Sequence, residues 1–262
     1  MDIATMITSM PSWLLFLLTI VAGVVAAEAG VWLRVKKIST EVKSHEGPVG
    51  SLIGAMLGLL AFMLGFTFSI TSARFANRKE MVALQAKAIG TCYLRTDLIP
   101  LKQKNESRRL FAEYVHTLLE VKNPAELDKS LSKLESINLQ IWEQAASLVS
   151  ENMDSPLRAL YISSVNEVLD TYGRRKSIAL INRIPTAIWI ALLVLFTLSM
   201  FIVGYEIGEN KRRRFLNTPI MAAAFSVIVA LIADMDSSTH SQNFKASLQP
   251  FEDVRRLILE SK

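Results

Sequence analysis

The chain has 262 residues, of which 51% are hydrophobic and 20% charged, and its formal net charge is +5. A mean hydropathy of +0.31 is too high for an ordinary soluble domain of this length, so the apolar residues must be segregated into blocks. A single cysteine, Cys92, excludes an intrachain disulfide, and three scattered histidines lack the ligand spacing of a zinc or haem site. No aromatic-and-basic motif accompanies the positive charge, so we expect no nucleic-acid partner.

The apolar blocks predict four membrane spans, two towards each end of the chain. About 20 apolar residues are needed to cross the hydrocarbon core of a bilayer. The spans are expected at residues 13–33, 52–72, 185–205 and 218–233, of which the last is short. Membrane lipid is therefore an expected partner.

The region between spans two and three predicts helices, because Leu, Ala, Glu, Lys and Gln dominate it and the alternation typical of strands is absent. Span two continues without Gly or Pro as far as Gly90, which predicts one long helix that ends by Pro100. The predicted fold is all-α. It consists of a transmembrane pair over 1–72, a helical extramembrane domain over 73–184, a second pair over 185–234 and a tail over 235–262.

Four spans place both termini and the central domain on one side of the membrane and the two short loops on the other. The loop after span one and the loop after span three are basic, which by the positive-inside rule favours cytoplasmic loops. The flanks of the central domain are also basic and compete with this assignment. The basic residues of the two loops are Arg34, Lys36, Lys37 and Lys43, and Lys211, Arg212, Arg213 and Arg214.

Three passages together resemble the bacterial DUF4239 family, which is described as bestrophin-like. They read GPVGSLIGAMLGLLAFMLGFTFSITSARFANRKEMVALQAKAIGTCYLRTDLIP, then RIPTAIWIALLVLFTLSMFIVGY, then LIADMDSSTHSQNFKASLQPFEDVRRLI. Members of the family usually carry Asp-x-Asp followed by Arg-Pro at the end of the last span. Asp234 and Asp236 match the first part, and Ser237 and Ser238 stand in place of Arg-Pro.

The resemblance implies a topology and a class of function. Bestrophins are pentameric anion channels with a hydrophobic neck on the second span and with cytoplasmic termini. The resemblance therefore implies a homo-oligomer, and specifically a pentamer, in the bacterial inner (plasma) membrane. Its topology is opposite to the one that loop charge favours.

A stripe of residues four apart runs along span two and consists of Gly54, Gly58, Phe62, Phe66 and Ile70. One interpretation is a pore-facing line in which Gly58, Phe62 and Phe66 form a neck that excludes water. The other is helix packing, since Gly54 and Gly58 form a GxxxG pattern that lets two helices approach closely.

The same helix predicts self-association. Its small residues leave too little side-chain volume for a good lipid-facing surface, so a neighbouring helix should fill the space. The neighbour could be span one or four of the same chain, or span two of another copy. The small residues are Gly50, Gly54, Ala55, Gly58 and Ala61.

Three acidic residues near or within the spans are further candidate sites. Glu28 lies inside span one, where an ionisable group indicates an internal partner or an ion path, unless interfacial water near Arg34 solvates it. Asp234 and Asp236 end span four and precede a run of oxygen-bearing residues, so they are candidate calcium ligands. The alternative is that they are polar residues leaving the membrane.

No phosphate loop, nucleophile elbow or His-Glu-x-x-His helix occurs in the sequence, so we expect no enzyme activity and no other cofactor. Two functions remain. The first is an oligomeric bestrophin-like membrane protein that acts as an anion channel. The second is a non-conducting membrane scaffold or signalling protein whose helical domain binds a partner.

Overall fold

The computed structural model describes residues 3–38, 49–120, 126–150, 156–180, 184–208, 217–237 and 244–261. Within these ranges the regular structure is helical, with a short 3₁₀ turn at Thr96–Leu98 and no strand. The α-helices are α1 (Ile3–Ser9), α2 (Ser12–Ile38), α3 (Val49–Arg95), α4 (Leu101–Glu120), α5 (Leu127–Ser150), α6 (Pro156–Leu180), α7 (Thr186–Ile207), α8 (Asn217–Asp236) and α9 (Gln249–Glu260).

Four of these helices, α2, α3, α7 and α8, are long and apolar enough to cross a membrane. The prediction of an all-α integral membrane protein with four transmembrane helices is confirmed. Each helix extends beyond the apolar block that predicted it, since helix geometry continues until a cap or a proline stops it whereas hydropathy falls at the membrane interface. The shortest predicted span becomes the 20-residue helix α8.

Helix α3 has 47 residues, more than twice the number that a bilayer requires. Its long continuation agrees with the prediction, but the α-helix ends at Arg95 rather than at Pro100. Pro100 has no N–H and disfavours helical geometry in the residue before it. The chain therefore tightens into the 3₁₀ turn, where the Ile99 N–H donates to the carbonyl of Thr96 at 3.4 Å.

The chain divides into two compact units, which we describe separately. The membrane unit comprises Met1–Arg74 and Arg183–Phe244, and the helical unit comprises Phe75–Asn182 and Lys245–Lys262. The core of the membrane unit is formed mainly by α2, α7 and α8, and α3 adds Leu60 and Leu64 to it. Its largest fully buried side chain is Trp189 on α7.

Helices α2 and α7 cross with their backbones in contact. A Cβ added at Gly204 would lie 1.9 Å from the carbonyl oxygen of Ala27, and one added at Gly30 would lie 2.1 Å from the carbonyl oxygen of Phe201. No side chain larger than hydrogen fits at either place. Close packing of this kind is the main attraction between helices in lipid, where apolar burial gives little driving force.

The helical unit packs α4, α5, α6 and α9 against the second half of α3. Its core is unusually aromatic, with fully buried Tyr93, Phe111, Tyr114, Tyr161 and Phe251. Phe251 belongs to α9, in a stretch for which the sequence analysis predicted only a tail. The Tyr93 hydroxyl donates to the carbonyl of Ile258 at 3.4 Å, so α9 is also joined to α3 by a hydrogen bond.

We expect Gly204→Ala to destabilise the protein by at least about 1–3 kcal/mol, because the new methyl group forces α2 and α7 apart. Thermal unfolding of the purified protein in detergent measures the effect. Gly173→Ala on α6 is the matched control, since nothing lies within 4 Å of a Cβ at Gly173. The control should be neutral or slightly stabilising, because alanine favours helix over glycine. Equal unfolding temperatures for Gly204→Ala and the wild type would contradict the contact.

Candidate functional site

The membrane part of α3 has one buried face and one open face. Leu60, Leu64, Thr67 and Thr71 lie on the buried face, each no more than 1% exposed. In the apolar, membrane-crossing part of α3, 17% of the segment is buried inside the chain. The corresponding share is 33–44% for α2, α7 and α8. Among the described residues, α3 is therefore the transmembrane helix that the rest of the chain covers least.

The predicted stripe lies on the open face. Phe62 is 66% exposed and Phe66 is 54% exposed, and their rings stack with centroids 6.4 Å apart and planes 11° from parallel. Apart from the helix's own neighbouring residues, no atom of the described part of the chain lies within 4 Å of a Cβ built at Gly54 or Gly58. Ile70, the last member of the stripe, is half-buried and departs from the open face.

The open face thus consists of a flat glycine surface followed by two stacked aromatic rings. Among the described residues, neither α2 nor α8 fills the space at Gly54 and Gly58. The close helix contact within the chain is instead made at Gly30 and Gly204. The face carries apolar and small groups, which can pack against another helix or exclude water.

Asp236 links three helices of the membrane unit. Its side chain is fully buried, and its Oδ1 and Oδ2 accept the N–H of Ile184, just before α7, at 3.1 and 3.3 Å. The Arg74 guanidinium on α3 lies 3.9 Å from Oδ1. A carboxylate at a helix N-terminus satisfies a free backbone donor and complements the helix dipole. Asp236, at the end of α8, therefore joins the start of α7 to α3.

Asp234 and Asp236 lie in the last turn of α8, at the end of span four as the sequence analysis placed them, but both are buried rather than exposed. Asp234 lines a mostly apolar cleft of about 300 Å³ between α2 and α8. Within the described ranges no group of three or more His, Cys, Asp or Glu residues could hold a metal. Most of the oxygen-rich run, residues 238–243, lies outside them, and the calcium site stays a prediction.

Glu28 is exposed on α2, whereas Ala26, Ala27 and Val31 on the same helix are buried. Arg34, expected at a basic membrane interface, is buried. Its guanidinium donates to the Tyr205 hydroxyl at 3.1 Å and lies 4.9 Å from the centre of that ring. Sequence reasoning did not find this contact or the one between Arg74 and Asp236, because hydropathy does not reveal which charges turn inward. An ion path through Glu28 stays a prediction.

We expect Asp236→Ala to cost about 3 kcal/mol of stability, because it leaves the Ile184 N–H without its buried acceptor and removes the carboxylate beside the Arg74 guanidinium. Chemical unfolding in detergent measures the change. Asp253→Ala is the control, since Asp253 is exposed and forms a surface pair with Arg256 at 3.7 Å that should contribute less than about 1 kcal/mol. Similar losses for the two variants would contradict the role given to Asp236.

This architecture is shared with known proteins. A family model, the bestrophin-like domain, matches residues 8–238. Among crystal structures of a bacterial bestrophin homologue from Klebsiella pneumoniae, one superposes with a TM-score of 0.67 at 12% identity and covers 96% of this chain and 98% of that chain. Another has a TM-score of 0.67 at 13% identity and covers 95% and 98%. No curated protein matches the sequence. The chain belongs to the bestrophin-like family.

Proposed function

We propose that the protein is a homo-oligomeric anion channel of the bacterial inner membrane whose α3 helices surround the axis. The observation that carries the proposal is the open face of α3, where the described residues leave Gly54 and Gly58 uncovered and Phe62 and Phe66 more than half exposed. Bestrophins are anion channels, and nothing in the family match or the similar structures indicates catalysis. A pentamer with cytoplasmic termini is the form that membership of the family favours.

The glycine end of the open face supports assembly. A lipid tail packs poorly against Gly54 and Gly58, whereas another helix can approach such a surface closely and gain van der Waals contact. The chain's other transmembrane helices pack elsewhere, so a second copy is the natural neighbour. In a closed ring each copy would present α3 in the same way.

The aromatic end supports a hydrophobic neck. Phe62 and Phe66 project from the same side of α3 one turn apart, and more than half of each side chain is exposed. Rings of such side chains around a narrow axis would exclude water and so block ions until the neck widens. Gly58, one turn earlier, gives the neck a wider approach.

An exposed apolar stripe on α5 favours the second candidate function, a scaffold that binds a partner through the helical unit. Leu139 is 65% exposed, Trp142 41% and Val149 62%, and their spacing places them along one side of the helix. An apolar stripe of this kind on an extramembrane helix is typical of a protein-binding surface. A protein that assembles but shows no ion flux would favour this candidate.

We expect Gly54→Leu with Gly58→Leu to dissociate the oligomer, because the added side chains fill the surface on which the neighbouring helix packs. Native mass spectrometry in mild detergent measures the mass of the assembly. The control is Ala187→Leu with Ala191→Leu, a pair with the same spacing on the exposed side of α7. A monomeric wild type, or an unchanged oligomer in the glycine variant, would contradict assembly through α3.

We expect purified protein in vesicles to conduct small anions, and Phe62→Ala with Phe66→Ala to increase the flux. The increase should be on the order of tenfold, the effect of lowering the barrier at the neck by about 1.4 kcal/mol. Phe68→Ala is the control, because Phe68 lies on the same helix away from the stripe and is 39% exposed. No flux from either the wild type or the double variant would rule out the channel.

A further inference from the structure

Arg175 on α6 is a partly buried cation with neutral surroundings. Its Nη1 donates to the Gln85 Oε1 at 2.9 Å, and its guanidinium lies 5.0 Å from the centre of the Phe251 ring. Gln85 in turn donates from Nε2 to the Tyr114 hydroxyl at 2.9 Å. Burial lowers the pKa of Arg175 and raises the pKa of Tyr114, so at neutral pH the arginine is charged and the tyrosine is not.

No carboxylate within the described part of the chain balances this charge. Glu135, which contributes to raising the pKa of the nearby Tyr172, pairs with Lys176 instead. Among the described residues, Gln85 is the hydrogen-bond acceptor that Arg175 finds, which leaves most of its five N–H groups available. Arg175 is half-buried, so part of its side chain is open to a solute.

Arg108 in the same unit is an arginine whose contacts are all structural, and it serves as a comparison for Arg175. Its guanidinium lies over the Tyr93 ring and donates to the Thr96 hydroxyl, the Ser261 carbonyl and the Asp97 carboxylate at 2.9–3.1 Å. Like Arg175 it lies over an aromatic ring, but it has three acceptors, one of which is the counter-charge Asp97. The difference between the two is that Arg108 has a carboxylate acceptor, whereas the acceptor of Arg175 among the described residues is a neutral amide.

We propose that Arg175 is the centre of a binding site for a small oxyanion, in which the open edge of the guanidinium takes a carboxylate or phosphate group. Gln85 and Phe251 fix the guanidinium from one edge and one face, so the free N–H groups are pre-oriented. Two parallel N–H groups match two oxygens of an oxyanion better than they match a spherical halide. The site is independent of whether the protein conducts ions.

The test measures thermal unfolding of the full chain in detergent with potassium phosphate, sodium acetate or sodium chloride at equal ionic strength. Ligand that binds the folded state raises the unfolding temperature. We expect phosphate or acetate to raise it above chloride in the wild type and in Arg174→Gln, a matched variant of the exposed neighbouring arginine. Phosphate alone would indicate a phosphate ligand, and acetate alone a carboxylate. Arg175→Gln should lose the response.

Two further measurements separate binding from a purely structural role. Without oxyanion, Arg175→Gln should unfold at or slightly below the wild-type temperature, because the loss of the donor to the buried Gln85 Oε1 offsets the removal of an unbalanced charge. Titration calorimetry with phosphate and acetate should show binding that weakens on the order of tenfold in Arg175→Lys, which keeps the charge but loses the planar fork. An equal salt response in the wild type and Arg175→Gln, or no heat of binding in the wild type, would overturn the proposal.

Discussion

The membrane unit depends on the backbone contact between α2 and α7. In lipid, helices gain little by burying apolar side chains, so their association requires surfaces that touch closely. Gly30 and Gly204 provide such a surface, and each lies against the main chain of the other helix. Helix α2 packs against α7 and α8, and α3 contributes one face to this core through Leu60 and Leu64. The opposite side of α3 is its open face.

Sequence patterns predicted the fold class well and the tertiary pairing poorly. Hydropathy located four spans, and composition predicted helices between them, because both depend on local properties of the chain. The GxxxG pattern at Gly54 drew attention to α3, whereas the contact within the chain uses Gly30 and Gly204 on other helices. A small-residue motif shows that a helix can pack closely but does not identify its partner.

The candidate site was partly predictable for the same reason. The stripe through Phe62 and Phe66 follows from helical spacing, and the structure leaves it exposed. The environment of Asp236 could not be derived, because its partners Ile184 and Arg74 are distant in sequence. Asp236 is a buried charged residue, and Arg175 is a half-buried one. Asp236 has a cation beside it, and Arg175 has an aromatic ring and a neutral amide.

Helix α9 has a consequence for the order in which the protein folds. The hydrogen bond from Tyr93 to Ile258 joins residues 165 positions apart, and Phe251 occupies the centre of the helical unit's core. Between them in sequence lie α7 and α8, which the ribosome delivers to the membrane before α9 emerges. The helical unit therefore cannot complete its core until both later spans have been synthesised. Such non-local closure is slow. During that interval the core residues that later pack with Phe251 are exposed. A nascent chain in this state is vulnerable to aggregation and proteolysis.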